Sequence, residues 1–282
     1  MDKLEIKYRT WYKGVPPRPI KLQIPGWAGD PNDHSNGDKP QPWHCPPFVD
    51  GATYGLELCY PFETECRVNM VDGQVVFNGD FSEEQKECPD VSLPPFMCFA
   101  PGHFGMTSAL DIKVPSGYVL RTECHPRYYT DTTYTVPCCL PGHLQTEWWP
   151  KIFFVVFKNP MPGQTLIFRK GEPYGQALVI PKKVSYDIKE MTVAEMSQRV
   201  STDDKLSKYC KRFVNNDWHD HLGHNFDDKY KVLSAVFTKK GSKGVQEFIE
   251  AVALKIENKK KFRGKLVMKR KDEGIQDKKE KL

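Results

Sequence analysis

Residues 140–181 constrain this chain more than any other stretch, because they admit little besides short strands joined by turns. They read LPGHLQTEWWPKIFFVVFKNPMPGQTLIFRKGEPYGQALVIP. The continuous apolar run at 152–157 has strand length and predicts a central strand covered on both faces. Residues 165–168 and 176–180 predict two more strands, and the Pro- and Gly-containing segments between them predict bends.

The same texture extends upstream. The 23 prolines crowd into the chain before residue 182, which favours many short strands and tight turns over long helices. A hydrophobic fraction of 39% with 12% aromatic residues fits a soluble globular protein rather than a disordered one. At 282 residues there is room for one large domain or two small ones. Neither an N-terminal apolar core nor a run of roughly 18 apolar residues occurs, so the expectation is a cytoplasmic protein with no membrane span. Residues 257–282 hold eleven Lys or Arg and five Asp or Glu, so the remaining 256 residues sum to about −1 of the +5 total. The basic bias belongs to the tail.

In chain order, residues 4–8 alternate. Ile20, Leu22 and Ile24 form a strand pattern flanked by prolines, which suits a sheet edge, and a long run of turn residues follows. Residues 52–58 alternate as a strand. Residues 66–70 and 74–77 flank Asp72-Gly73, the strongest short-range hairpin signal. Residues 118–122 predict a strand, and 128–136 are rich in Thr and Tyr and β-prone, with part of them loop. After Pro181 the pattern turns helical. Thr192-Val193-Ala194-Glu195 is a capping box opening a helix to about Arg199. Ser201 to Asp204 reads as a second helix start, with Leu206, Tyr209, Cys210 and Phe213 as its apolar stripe. Val245, Phe248, Ile249, Val252, Ala253 and Ile256 recur at helical spacing. The expected division is a 1–41 arm with an edge strand and loop, a 42–187 β body, a 188–261 helical extension and a flexible basic tail at 262–282.

Few residues carry obvious chemistry. Nine cysteines, an odd number with no CxxC pair, predict small buried hydrophobes rather than a disulfide framework or a zinc knuckle. His44 and Cys45 are neighbours whose side chains point apart on an extended chain, so a structural role fits them better. Cys138 and Cys139 followed by His143 have the elements of a thiol–imidazole pair, without an identified third group. His103, His125 and His143 all fall on expected loops. His219, His221 and His224 sit among carboxylates, a set suited to a divalent metal, yet Gly223 argues for a solvated loop joining two helices, which is the favoured reading. No Walker loop and no Gly-x-Ser-x-Gly elbow occurs. The tail's basic clusters suit weak, sequence-independent contact with nucleic acid, although a solubilising terminus explains them as well.

Over roughly residues 50–181 the order of segments resembles the trimeric dUTPase and dCTP deaminase superfamily. Ala52-Thr53-Tyr54-Gly55-Leu56 resembles its A-G-Y-D-L motif. Val114-Pro115-Ser116-Gly117-Tyr118 leading to Pro126-Arg127-Tyr128 resembles its second motif. Gly142 to Trp148 lines up with G-x-I-D-x-D-Y. Phe157-Lys158-Asn159 followed by Gly171 to Leu178 resembles the fourth. The region is also similar to an uncharacterised bacterial and phage domain of unknown function. The resemblance implies a mainly β fold, α+β overall, with a dUTPase-like β-barrel or β-clip body of short strands, a C-terminal helical extension and a homotrimer.

The departures fall on the chemistry. Gln145 stands where the family's third motif keeps the Asp that positions water, and a carboxamide is no general base. Tyr128 replaces the phosphate-contacting Ser, and Val156 replaces the deaminase Glu. The resemblance therefore implies a small-molecule, nucleotide-like ligand without the usual hydrolysis, and no specific cofactor. Its candidate binding residues are Arg127, Gln145, Glu147, Trp148 and Gln176, with Glu147 sharing a strand face with Gln145. Trp149 is a further stacking candidate, and pairing with Glu123 or Asp131 is the bland role for Arg127. A phage or bacterial assembly protein and a metal enzyme using the loop histidines are the alternatives.

Overall fold

Proline and glycine decide where most strands of this protein begin and end. The computed structural model describes residues 4–11, 13–21, 42, 45–86, 94–209, 217–219, 222–223 and 225–279, with backbone alone for 85, 209, 217–219, 225–226 and 260–279. Two units are present, Met1–Tyr186 and Asp187–Leu282.

The first unit opens with β1 (Lys7–Thr10) and β2 (Arg18–Pro19), then α1 (Pro46–Ala52) and β3 (Leu56–Cys59). The hairpin β4 (Cys66–Val71) and β5 (Gln74–Asn78) precedes the short α2 (Ser82–Lys86). Next come β6 (Phe96–Ala100), β7 (His103–Thr107), β8 (Leu110–Lys113) and β9 (Tyr118–Cys124). The one-turn α3 (Arg127–Thr130), β10 (Gly142–Leu144), β11 (Phe154–Lys158), β12 (Leu166–Phe168) and β13 (Pro173–Pro181) complete it. All pairings are antiparallel. A five-stranded sheet runs β10-β9-β13-β3-β2, two three-stranded sheets run β11-β7-β6 and β12-β4-β5, and β1 pairs with β8. The class is mainly β, and among the described residues these are separate sheets rather than one closed barrel.

The sheets close over one aromatic core. Tyr60, Phe96, Phe104, Phe157 and Phe168 are buried with Leu58, Met106, Leu110, Leu120 and Tyr174. Phe104 stacks on Phe157 at 5.2 Å, and Phe157 meets Phe168 edge-on at 5.4 Å. Each fully buried side chain of this size contributes about 1.5–3 kcal/mol by leaving water.

Several expectations hold. Asp72 (φ 50°) and Gly73 (φ 78°) form the β4–β5 turn, with Val71 opposite Gln74. Two successive positive φ values match the right-handed twist of the flanking strands. An edge strand is present, but it is Arg18–Pro19 rather than the expected stretch, and Ile20 follows it outside the strand; Leu22 and Ile24 lie outside the described residues. Other expectations need correction. Pro46 and Pro47 open α1 behind Cys45, where a missing N–H is harmless. The following strand therefore starts at Leu56 rather than Ala52. Residues 128–136 form α3 and a loop instead of a strand, because Arg127 opens a helical turn there. β11 alternates between buried and half-buried residues rather than being covered on both faces. Its outer edge is still bonded, through Leu140 N to Val156 O and Lys158 N to Cys138 O.

The second unit holds α4 (Val193–Tyr209), the hairpin β14 (Asp217–His219) and β15 (Asn225–Asp227), and α5 (Lys229–Lys279). The capping box forms: Thr192 N donates to Glu195 Oε2 at 2.8 Å, and Glu195 N to Thr192 Oγ1 at 3.3 Å. The expected second start at Ser201 is absent, because α4 runs straight through and the Thr202 hydroxyl bonds back to Gln198 O. Cys210 and Phe213 of its expected stripe lie outside the described residues. α5 breaks at Gly241 (φ 67°). The stripe of Val245, Phe248, Ile249, Val252, Ala253 and Ile256 is buried or half-buried, as its spacing predicts. No helix among the described residues is long and apolar enough to cross a membrane.

Candidate ligand-binding site

β9 ends at Cys124 and delivers the chain into a loop that bounds a cavity of about 640 Å³. One wall is Tyr128 with residues 133–136, the opposite wall is Lys158, Asn159, Met161 and Gln164, and Cys138 is also exposed to it. Three devices hold the first wall. Asp131 accepts hydrogen bonds from Thr133 N (2.9 Å), Thr133 Oγ1 (2.6 Å), Thr135 N (3.0 Å) and Val136 N (3.2 Å). Burial alone would raise its carboxyl, but these bonds outweigh it and hold the group below its ordinary value. Gln164 Nε2 donates to Tyr134 O at 2.8 Å, and Ile167 N to Thr135 O at 2.9 Å. Tyr134 itself sits at φ 60°, a left-handed conformation costly for a bulky residue, and the residue is 73% exposed.

Behind this wall lies a buried polar network. Arg127 donates to Glu172 Oε2 at 3.2 Å and to Pro173 O at 3.3 Å, which ties α3 to the start of β13. The Arg127 backbone N–H donates to His125 Nδ1 at 3.2 Å, so the neutral ring carries its proton on Nε2. That nitrogen lies 3.7 Å from Glu57 Oε2, and both side chains are fully buried. The other oxygen of Glu57 accepts from Arg18 Nε. Burial pushes His125 below its ordinary value against the pull of Glu57. Burial would raise Glu57, but the facing His125 ring and the bond from Arg18 prevail and lower it. The pair is a carboxylate beside a neutral imidazole.

The sequence-predicted residues do not gather in one place. Arg127 and Gln176 both attach to β13. Gln176 is buried and donates from Nε2 to Gly51 O (3.3 Å) and Tyr54 O, holding α1 to the sheet. Arg127 pairs with Glu172, neither with Glu123 nor with Asp131. Gln145 follows Leu144, which pairs with Leu120 near the other end of β9, roughly 15 Å from Cys124 at strand rise. The shared strand face of Gln145 and Glu147 does not exist, because the chain leaves the strand at Leu144 and turns. Trp148 N and Trp149 N approach Gln145 O, and Trp148 Nε1 donates to Gln145 Oε1 at 3.1 Å. Glu147 faces Ser116 and Gly117, whose hydrogen bonds lower its carboxyl. Trp148 and Trp149 pack edge-on at 5.7 Å and are exposed.

The histidines also part company. His103 meets Pro101 O, His125 lies beside Glu57, and His143 on β10 contacts Arg121 at 3.3 Å. His219 pairs with Asn225 on β14, an extended hairpin where a loop is expected; His221, His224 and His44 lie outside the described residues. Among the described residues no three His, Cys, Asp or Glu side chains gather to hold a metal ion.

Sequence reasoning missed Glu57 and the Asp131 loop. Glu57 lies between Leu56 and Leu58 on a strand flanked by β13 and β2, and an acid in so apolar a strand is itself the available signal. Nothing in the sequence joins it to His125.

No family model matches the chain, and no curated protein matches it. Solved structures that are similar include a mutant of the dUTPase from phage phi11 of S. aureus, with 10% identity, 68% of this chain and 99% of that chain covered, and a TM-score of 0.32. A second structure of the phi11 dUTPase covers 35% of this chain and 74% of its own at 13% identity and a TM-score of 0.25. The EIAV dUTPase covers 46% and 99% at 9% identity, with a TM-score of 0.26. Likeness at this level carries neither an activity nor the role of any residue over to this chain.

Proposed function

We propose that the first unit binds a small, nucleotide-like molecule in the cavity beneath Tyr134 and does not hydrolyse it. The observation that carries this reading is an exposed aromatic ring held in a strained backbone conformation at the rim of a 640 Å³ cavity. Strain of this kind persists only where the surroundings impose it, and the volume falls within the roughly 300–1,000 Å³ of small-molecule sites. Tyr128 and Tyr134 offer rings for a planar group, while Thr133, Asn159 and Gln164 offer polar partners. Arg127 acts as a positioning residue for this wall. Among the described residues no carboxylate lines the cavity, so it offers no carboxylate as a general base.

A thermal-shift screen with bases, nucleosides and nucleotides tests this. A ligand at a hundred times its Kd adds about 2.7 kcal/mol, an easily measured rise in Tm that Tyr134→Ala should abolish. No stabilisation by any of them overturns the reading, and pyrophosphate release from dUTP overturns the absence of hydrolysis.

A second reading, an oligomeric assembly component, is favoured by the exposed Trp148–Trp149 pair, 61% and 43% accessible. Light scattering decides it: a homotrimer supports assembly, and a clean monomer removes it.

A further inference from the structure

Cys124 closes β9 and Cys138 lies just past the Asp131 loop, so the segment forming one cavity wall begins and ends on a thiol. The two sulfurs are 3.4 Å apart. We propose that Cys124 and Cys138 are the two halves of a reversible disulfide, closed by exchange with a small-molecule disulfide, that staples the base of this loop.

Several observations converge on the pair. A disulfide needs its sulfurs about 2.05 Å apart, so an approach of about 1.4 Å completes the bond, within reach of a side-chain rotation. Both residues are partly exposed, whereas Cys59, Cys66 and Cys139 are buried. Cys138 lines the cavity, which gives a small reagent a route to its sulfur. The neighbours are arranged for two thiols: the Tyr128 hydroxyl stands against Cys138 and the Tyr129 hydroxyl against Cys124. Burial pushes the Cys124 thiol up to about 12, with the Cys138 hydrogen bond adding to it. Cys138 lines the cavity and Cys124 does not, so Cys138 is the sulfur that a small reagent in the cavity meets first.

In the first step Cys138 loses its proton to solvent and attacks one sulfur of the small disulfide. That S–S bond breaks, and one small thiolate leaves and takes up a proton. Cys124 then loses its proton and attacks the Cys138 sulfur of the mixed disulfide, expelling the second small thiol. The protein gives up two electrons and two protons, and the small disulfide is reduced to two thiols.

The test uses the full chain incubated with oxidised glutathione, alkylated with iodoacetamide and digested. Mass spectrometry should find the Cys124 and Cys138 peptides joined and two hydrogens lighter, with separate alkylated peptides restored by dithiothreitol. Cys138→Ser should leave Cys124 open to alkylation or glutathionylation. Should that variant fail to fold, the alkylation pattern of the wild-type protein decides alone. Both cysteines alkylated after oxidation, or Cys138 joined to Cys139 instead, overturns the proposal. No ligand enters this experiment, and the nucleotide screen is run on reduced protein, so failure of one leaves the other standing.

Discussion

Glu57 Oε2 lies 3.7 Å from His125 Nε2, and the two side chains, 68 positions apart in sequence, are both fully buried. The distance is too long for a good hydrogen bond, so the contact is chiefly between a carboxylate and a ring dipole. Arg18, 48% exposed, supplies the formal counter-charge.

Stability should therefore fall with acid in two stages. His125 is held below its ordinary 6.5, so its contribution is complete above about pH 6.5 and is lost as pH falls through its folded pKa. Glu57 is held below 4.5, so its contribution is complete above 4.5 and is lost as pH falls further. Urea denaturation across this range should show a decline beginning near 6.5. His125→Asn retains an acceptor for the Arg127 N–H and should flatten the upper stage. An unchanged slope in that variant would remove His125 as its source.

Gly55→Ala should cost roughly 2 kcal/mol or more. Gly55 has φ +95°, and a Cβ there would stand 2.5 Å from Ala177 O. Since Ala177 lies on β13, the strand that carries the sheet, relief requires backbone movement. A thermal midpoint within a degree of wild type would show that the sheet yields easily.

Asp131→Ala removes the acceptor of four hydrogen bonds from one loop. The expected loss is about 1–3 kcal/mol, with a larger proportional loss in the affinity of any ligand found by the nucleotide screen. Asp131→Asn keeps one acceptor oxygen and should recover part of both. Equal affinity in wild type and Asp131→Ala would separate the loop from binding.

Thr192→Ala should cost about 1 kcal/mol in the second unit, because both arms of its capping box are made. Hydrogen exchange at the start of α4 reports this directly: faster exchange confined to the first turn is expected, and none would mean the cap is redundant.

Local signals were legible and remote ones were not. Asp72-Gly73 dictates its hairpin from two adjacent residues, and the α5 stripe repeats too regularly to be anything but a helix face. The alternation from residue 52 misleads because nothing in it marks the helix that Pro46 and Pro47 open, which runs to Ala52. Parity along a strand makes Gln145 and Glu147 companions only while the strand lasts, and it stops at Leu144. The Glu57–His125 contact depends on β3, β13 and the end of β9 lying together, which no window of sequence contains.

The left-handed backbone at Tyr134 also limits how this rim can be redesigned. Gly and Asn relax there, whereas Val, Ile and Thr are excluded by their branched Cβ. A library meant to change what the cavity accepts should therefore hold position 134 to a narrow alphabet. Its diversity belongs at Met161, a cavity-lining residue that is 67% exposed and free of any such backbone demand.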